Sequence, residues 1–133
     1  MGVVVVDSSV LIAVLDDGHL FHDQAQRELT RAAATGDVVI PAVAFSEVLV
    51  VPYRLGKEQG HAVELQLRAV GAIAPVDPAI ASAAAQLRAA LQVRLPDALI
   101  IATASAFGDC QILTFDKKWV SIDPRVRVLG ASG

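Results

Sequence analysis

The sequence predicts an α/β protein, a three-layer α/β/α sandwich built as one domain over residues 1–133, and three observations carry that expectation. Five short aliphatic runs, Val3 to Val6, Val38 to Ile40, Ile73 to Val76, Ile112 to Phe115 and Val126 to Leu129, do not alternate with polar residues. Runs of this kind suit strands covered on both faces, the usual state of a parallel sheet. Between them, apolar residues recur at helical spacing. Finally, 133 residues with 54% hydrophobic and 19% charged side chains can bury a single substantial core, which speaks against both disorder and a second domain.

Taken in order, the first strand ends on Asp7, and Ser8 or Ser9 is placed to cap a helix through Leu11 to Leu15. Phe21, Ala25, Leu29 and Ala32 share one helical stripe that closes at Gly36. The segment from Phe45 to Leu55 reads as helix, but Pro52 loses a hydrogen bond there and predicts a kink or an end before Gly56. A further helix covers Lys57 to Val70. After the third strand, Asp77-Pro78 opens a helix whose stripe is Ile80, Ala84, Leu87 and Leu91. Pro96 opens another, so apolar from Ala98 to Ala102 that it is expected to pack against the sheet, and Gly108 marks the helix end before the fourth strand. The closing Gly-Ala-Ser-Gly at 130–133 is expected to fray.

Composition narrows the function classes. Lys and Arg number 11 against 14 Asp and Glu, so the formal charge of -3 excludes nucleic-acid binding through bulk positive charge. A lone Cys110 cannot form an internal disulfide and fits a reducing cytoplasm. The opening valine run is too short to span a membrane and lacks the basic flank and cleavage site of a signal peptide, so a cytoplasmic protein with no membrane association is expected. His19 and His22 stand three residues apart without a Cys or acid in a recognised pattern, which favours surface or capping roles over metal binding.

The acids carry the chemistry. Asp7 and Asp116 each follow a strand directly, and in open α/β sheets the carboxyl ends of strands line the ligand crevice. Taken singly, a helix cap or an ordinary turn would explain them. Asp97 falls in the first turn of the apolar helix, where the helix dipole favours a carboxylate by only about 0.3–1 kcal/mol. Glu47 is the sole charge between Pro41 and Val51. A buried carboxylate needs a cation or a proton, and Arg54, two turns away, is a poor local partner. Four carboxylates on four elements, without Cys or His, form an all-oxygen donor set suited to Mg²⁺ or Mn²⁺ rather than zinc. Such clusters serve phosphodiester hydrolysis: the metal neutralises phosphate, lowers the pKa of attacking water and stabilises the leaving oxygen.

The ordered set Val-Val-Val-Val-Asp7-Ser-Ser-Val-Leu, Ser46-Glu47, Leu-Pro-Asp97-Ala-Leu-Ile-Ile-Ala-Thr-Ala and Leu-Thr114-Phe-Asp116 resembles the PIN-domain nucleases, and among them the VapC-like toxins of type II toxin–antitoxin systems. The resemblance implies a five-stranded parallel sheet in the order 3-2-1-4-5, with Asp7 and Asp116 flanking its switch point. It implies that Asp7, Glu47, Asp97 and Asp116 are the catalytic and Mg²⁺- or Mn²⁺-binding quartet, with Ser9 and Thr114 hydrogen-bonded behind them. It further implies an endoribonuclease that leaves a 5′-phosphate and a 3′-hydroxyl, restrained by a cognate antitoxin and assembled as a homodimer. Lys117, Lys118 and Arg94 stand near the acids, where they are candidates to contact RNA phosphates. Trp119, where many relatives carry Phe, is expected to pack the closing turn.

Two rivals compete. A non-catalytic PIN-like interaction module would use the acidic pocket to dock a basic partner, and metal binding without hydrolysis would favour it. A receiver-like phosphoacceptor also carries acids at strand ends, but it expects paired acids after the first strand and an aspartate after a middle one. Here Ile73 to Val76 is followed by Asp77-Pro78, which opens a helix.

Overall fold

A computed structural model describes residues 2–130, so the end expected to fray lies, beyond Gly130, outside the described residues. The elements run β1 (Val3–Val6), α1 (Ser8–Leu15), α2 (His22–Thr35), β2 (Asp37–Pro41), α3 (Ala42–Leu55), α4 (Lys57–Val70), β3 (Ala72–Ala74), α5 (Pro78–Leu91) and α6 (Leu95–Thr103). A 3-10 turn (Ala104–Phe107), β4 (Cys110–Thr114), a second 3-10 turn (Lys117–Ser121) and β5 (Val126–Val128) complete them. All four strand pairings are parallel, and the spatial order is β3-β2-β1-β4-β5. This is the three-layer sandwich and strand order expected above.

The strands are aliphatic because both faces are covered: Val5, Val6, Ile40 and Ile112 are fully buried in one core with Val10, Leu29 and Ile100 from the helices. Helix α6 buries Ala98 and every residue from Ile100 to Thr103, as its composition required. Successive strands proceed from β1 to one side of the sheet, then cross to the other, so the order reverses between β1 and β4. Their register pairs Val3 with Cys110 and Val6 with Leu113, and the Asp7 amide continues the ladder to the Leu113 carbonyl at 2.9 Å. The crevice of the fold therefore opens at Asp7.

Three local expectations are corrected. The third strand stops at Ala74 rather than Val76, because Pro75 has no N–H for the ladder. Pro52 neither ends nor breaks α3 at its own position; it sits in the last turn, and the Gly56 amide still reaches its carbonyl at 3.2 Å. Neither serine caps α1, whose N-cap residue is Asp7 without a side-chain cap, since both hydroxyls are engaged elsewhere. Among the described residues no helix is long and apolar enough to cross a membrane.

Candidate metal and catalytic crevice

Asp7 is the fixed point of the crevice. Its carboxylate is 5% exposed, yet it is fully partnered: Oδ2 accepts from Ser9 Oγ and from Thr114 Oγ1, both at 2.8 Å, and Oδ1 faces Ser8 Oγ at 3.4 Å. Each of the first two hydroxyls also accepts a backbone bond. Ser9 Oγ takes the Phe115 amide at 3.1 Å, and Thr114 Oγ1 takes the Asp116 amide at 3.0 Å. Two relays thus run from the chain leaving β4 through a hydroxyl to one oxygen of Asp7. The strand-to-helix corner after β1 and the exit of β4 are thereby held together, and the position of Asp116 is tied to that of Asp7. The Asp116 carboxylate, half-buried, accepts the Lys118 amide at 3.0 Å through Oδ1.

Asp97 and Glu47 arrive from the helices. Asp97, in the first turn of α6, is half-buried and 3.6 Å from the Arg94 guanidinium. Burial raises its pKa, Arg94 opposes that, and the nearby charges of Asp7 and Asp116 push it up further. Glu47, on α3, is raised in the same way, by burial first; the Ser8 hydroxyl partly offsets this, and Asp7 and Asp97 add repulsion. Each of the four acids therefore feels at least one other, and two of them hold protons more tightly than ordinary carboxylates. The arrangement is short of positive charge. Arg94, not Arg54, is the cation that Glu47 senses.

Among the described residues, no three acidic, histidine or cysteine side chains converge closely enough to grip a metal ion as they stand. The quartet is assembled as an electrostatic neighbourhood rather than a closed cage, as expected for like charges without a cation between them. Its donor chemistry fits a hard divalent cation, since every group is a carboxylate oxygen.

The other expected residues divide. Lys118 and Arg94 line a groove of about 590 Å³ that also reaches Asp97 and Asp116, whereas Lys117 is exposed and does not line it. Trp119 is 2% exposed and packs the closing turn, which removes its faces from open base stacking. His19 Nδ1 accepts the Phe21 amide at 3.0 Å, and His22 Nδ1 bonds the Ala13 carbonyl at 2.8 Å, so both close the α1–α2 connection. The sequence reading missed the placement of Ser8 between Asp7 and Glu47, although its adjacency to Asp7 was a signal. It also missed Leu91, Gln92 and Val93, which form part of the groove and carry no chemical motif.

Comparisons with known proteins bear on the family and the fold. A family model described as PIN domain matches residues 4–123. A toxin–antitoxin complex from Klebsiella pneumoniae contains a chain 25% identical, with a TM-score of 0.74 over 96% of this chain and 97% of that one. VapBC2 from Rickettsia felis, bound to a promoter DNA fragment, matches at 15% identity and a TM-score of 0.79, covering 96% and 99%. VapC20 from Mycobacterium tuberculosis, a toxin that cleaves the sarcin–ricin loop, matches at 18% identity and 0.65, covering 90% and 93%. No curated protein matches the sequence.

Proposed function

Because this chain belongs to the PIN domain family, we propose that it is a metal-dependent endoribonuclease and the toxin of a toxin–antitoxin pair. The observation that carries the proposal is the Asp7 anchor: a buried carboxylate held at the switch point by Ser9 and Thr114, with Asp97, Asp116 and Glu47 around it. That placement serves no packing purpose, since neighbouring carboxylates repel one another. Mg²⁺ or Mn²⁺ between Asp7, Glu47, Asp97 and Asp116 would supply neutralisation of the scissile phosphate and acidification of water.

The chain's own residues divide the remaining work. Asp7 is held in place by two hydroxyls on Oδ2, so its carboxylate needs no reorganisation to serve as a ligand. Asp97 and Glu47, carried to the Asp7 anchor by α6 and α3, are the members that would take a proton from an attacking water. Arg94 and Lys118 flank the acids and offset the repulsion that a phosphate would meet in a protein of formal charge -3. In-line attack by water on phosphorus would then break the bond to the 3′ oxygen, which takes up a proton from solvent, leaving a 5′-phosphate and a 3′-hydroxyl.

The Klebsiella relative is described in a toxin–antitoxin complex, which supports a cognate antitoxin as the partner here. Exposed Val50, Val51 and Leu55 on α3 and Leu65 on α4 supply apolar surface for that partner or for a homodimer. A cytoplasmic site of action accords with the free, buried Cys110. The approach of the Arg94 guanidinium to Asp97 at 3.6 Å favours a second reading, a non-catalytic module that docks a basic side chain in the crevice.

Purified protein, free of antitoxin, is incubated with total bacterial RNA in Mg²⁺, in Mn²⁺ and in EDTA, beside Asp97→Asn, and fragment ends are mapped. Discrete metal-dependent fragments with 5′-phosphates, absent in the variant, are expected. Intact RNA throughout, with metal bound, would establish the docking module instead.

A further inference from the structure

The groove beside the acids is more than an approach to them. It runs from Asp97 and Asp116 to the α5–α6 connection on one side and the turn of Lys118 to Ile122 on the other, and its volume of about 590 Å³ falls within the range of small-ligand sites. Its lining is mixed in a particular way. Leu91, Val93 and Ile122 give apolar surface, and Leu91, the last residue of α5, is 52% exposed. Gln92 supplies an amide that can both donate and accept. Arg94 and Lys118 supply positive charge at the end nearest the acids.

The connection that carries these residues is held in shape. Gln92 closes α5 in the left-handed conformation, with φ 56° and ψ 29°, and its amide bonds the Arg88 carbonyl at 2.9 Å. The Arg88 guanidinium reaches across to the Val93 carbonyl at 2.9 Å. A left-handed glutamine costs more than a glycine would at the same place.

We propose that this groove is a nucleotide-recognition subsite, in which one unstacked base of a single-stranded RNA lies on Leu91, Val93 and Ile122 and is read at its edge by the Gln92 amide. Its backbone phosphate lies against Arg94 and Lys118, which places the neighbouring phosphodiester at the acids. The cations and their continuity with the acids select a polyanion over an apolar peptide, and the apolar floor with one amide selects a base over a bare phosphate. This inference rests on the RNA-cleaving reading above and extends it: the bond that is cut is chosen here, by residues outside the acid quartet.

Trp119, the only tryptophan, is buried beside the groove, so its emission is the probe of occupancy. The test is titration of wild type with a mixed-sequence RNA hexamer in Ca²⁺, following Trp119 emission, and repetition with Leu91→Ala/Gln92→Gly. Both changes suit the fold, one being at an exposed position and the other at a positive φ. A saturable change that weakens about fivefold or more in the double variant is expected, together with altered cut positions when total RNA is digested in Mg²⁺. If wild type cleaves and the double variant binds as tightly and cuts the same bonds at the same relative rates, the subsite is wrong and the nuclease stands. If RNA binds through these residues but is never cleaved, the subsite stands and the nuclease reading falls. A flat emission titration with wild type overturns the subsite.

Discussion

Thr114 Oγ1 both donates to Asp7 and accepts from the Asp116 amide, so a single hydroxyl fixes the rotamer of one acid and the backbone of another. Removing it while keeping the shape, Thr114→Val, leaves Asp7 Oδ2 with Ser9 alone in a buried setting. A loss of about 1–3 kcal/mol in urea denaturation is expected, with a drop of about 10–100-fold in metal-dependent cleavage. Thr114→Ser should restore most of both, and equal stability of the valine variant would show that the bond is not needed. Asp97 behaves oppositely. Its burial and its acidic neighbours make its charge unfavourable in the folded state, so Asp97→Asn should melt higher than wild type in EDTA at neutral pH while losing cleavage. Added Mg²⁺ should raise the melting temperature of wild type and do little for the variant, a crossing that thermal melts read directly. Both acids were legible as strand-end and helix-start residues, and the place of Thr114 behind the acids came from the resemblance. The double use of Ser9 and Thr114 by backbone amides was not legible, because it depends on how β4 leaves the sheet.

At the scale of elements, the α3–α4 hairpin shows where sequence patterning runs out. Helical spacing located both helices, and Pro52 was recognised as a defect, but its tolerance depended on its lying in the final turn, where one lost hydrogen bond is close to groups already unpaired. Pro75, overlooked inside an aliphatic run, ended β3 early for the reason that confines proline to strand edges. Within the hairpin, Gly60 closes the first turn of α4, where glycine is worse than alanine by up to about 1 kcal/mol. Contact explains it: a Cβ on Gly60 would collide with the Tyr53 ring, which donates its hydroxyl to Glu64 and meets His61 edge-on at 5.8 Å. Gly60→Ala therefore sets a propensity gain against overpacking, which typically costs about 1–3 kcal/mol, and overpacking should win. Chemical denaturation should show net destabilisation with the Tyr53 to Glu64 contact disrupted. A more stable alanine variant would mean that the ring swings away freely.

For the whole molecule, the sheet order followed from the resemblance rather than from periodicity, since aliphatic runs state that strands are buried without stating their neighbours. What attaches the last strand lay outside any motif. Arg127 on β5 forms a bidentate pair with Glu28 on α2, at 2.6 and 2.9 Å, across 99 residues of chain, and no local spacing announces such a partner. The entry to β5 is fixed by Asp123, whose Oδ1 accepts the Arg125 amide at 2.8 Å and Nε at 3.0 Å, while Oδ2 accepts Nη2 at 2.7 Å. These bonds, the side-chain bond from Arg125 first, hold the Asp123 pKa below its ordinary value of 3.8. The unfolded chain therefore binds the proton more readily than the folded one, so this stabilisation is complete above about pH 4 and disappears as pH falls through the folded value. Asp123→Asn removes the charge but keeps the shape, and should cost about 1 kcal/mol at neutral pH. In urea melts the gap between wild type and variant should narrow as pH is lowered below about 4, because wild type then loses what the variant already lacks. A gap of constant size would assign the effect to the geometry of the turn rather than to the carboxylate's charge.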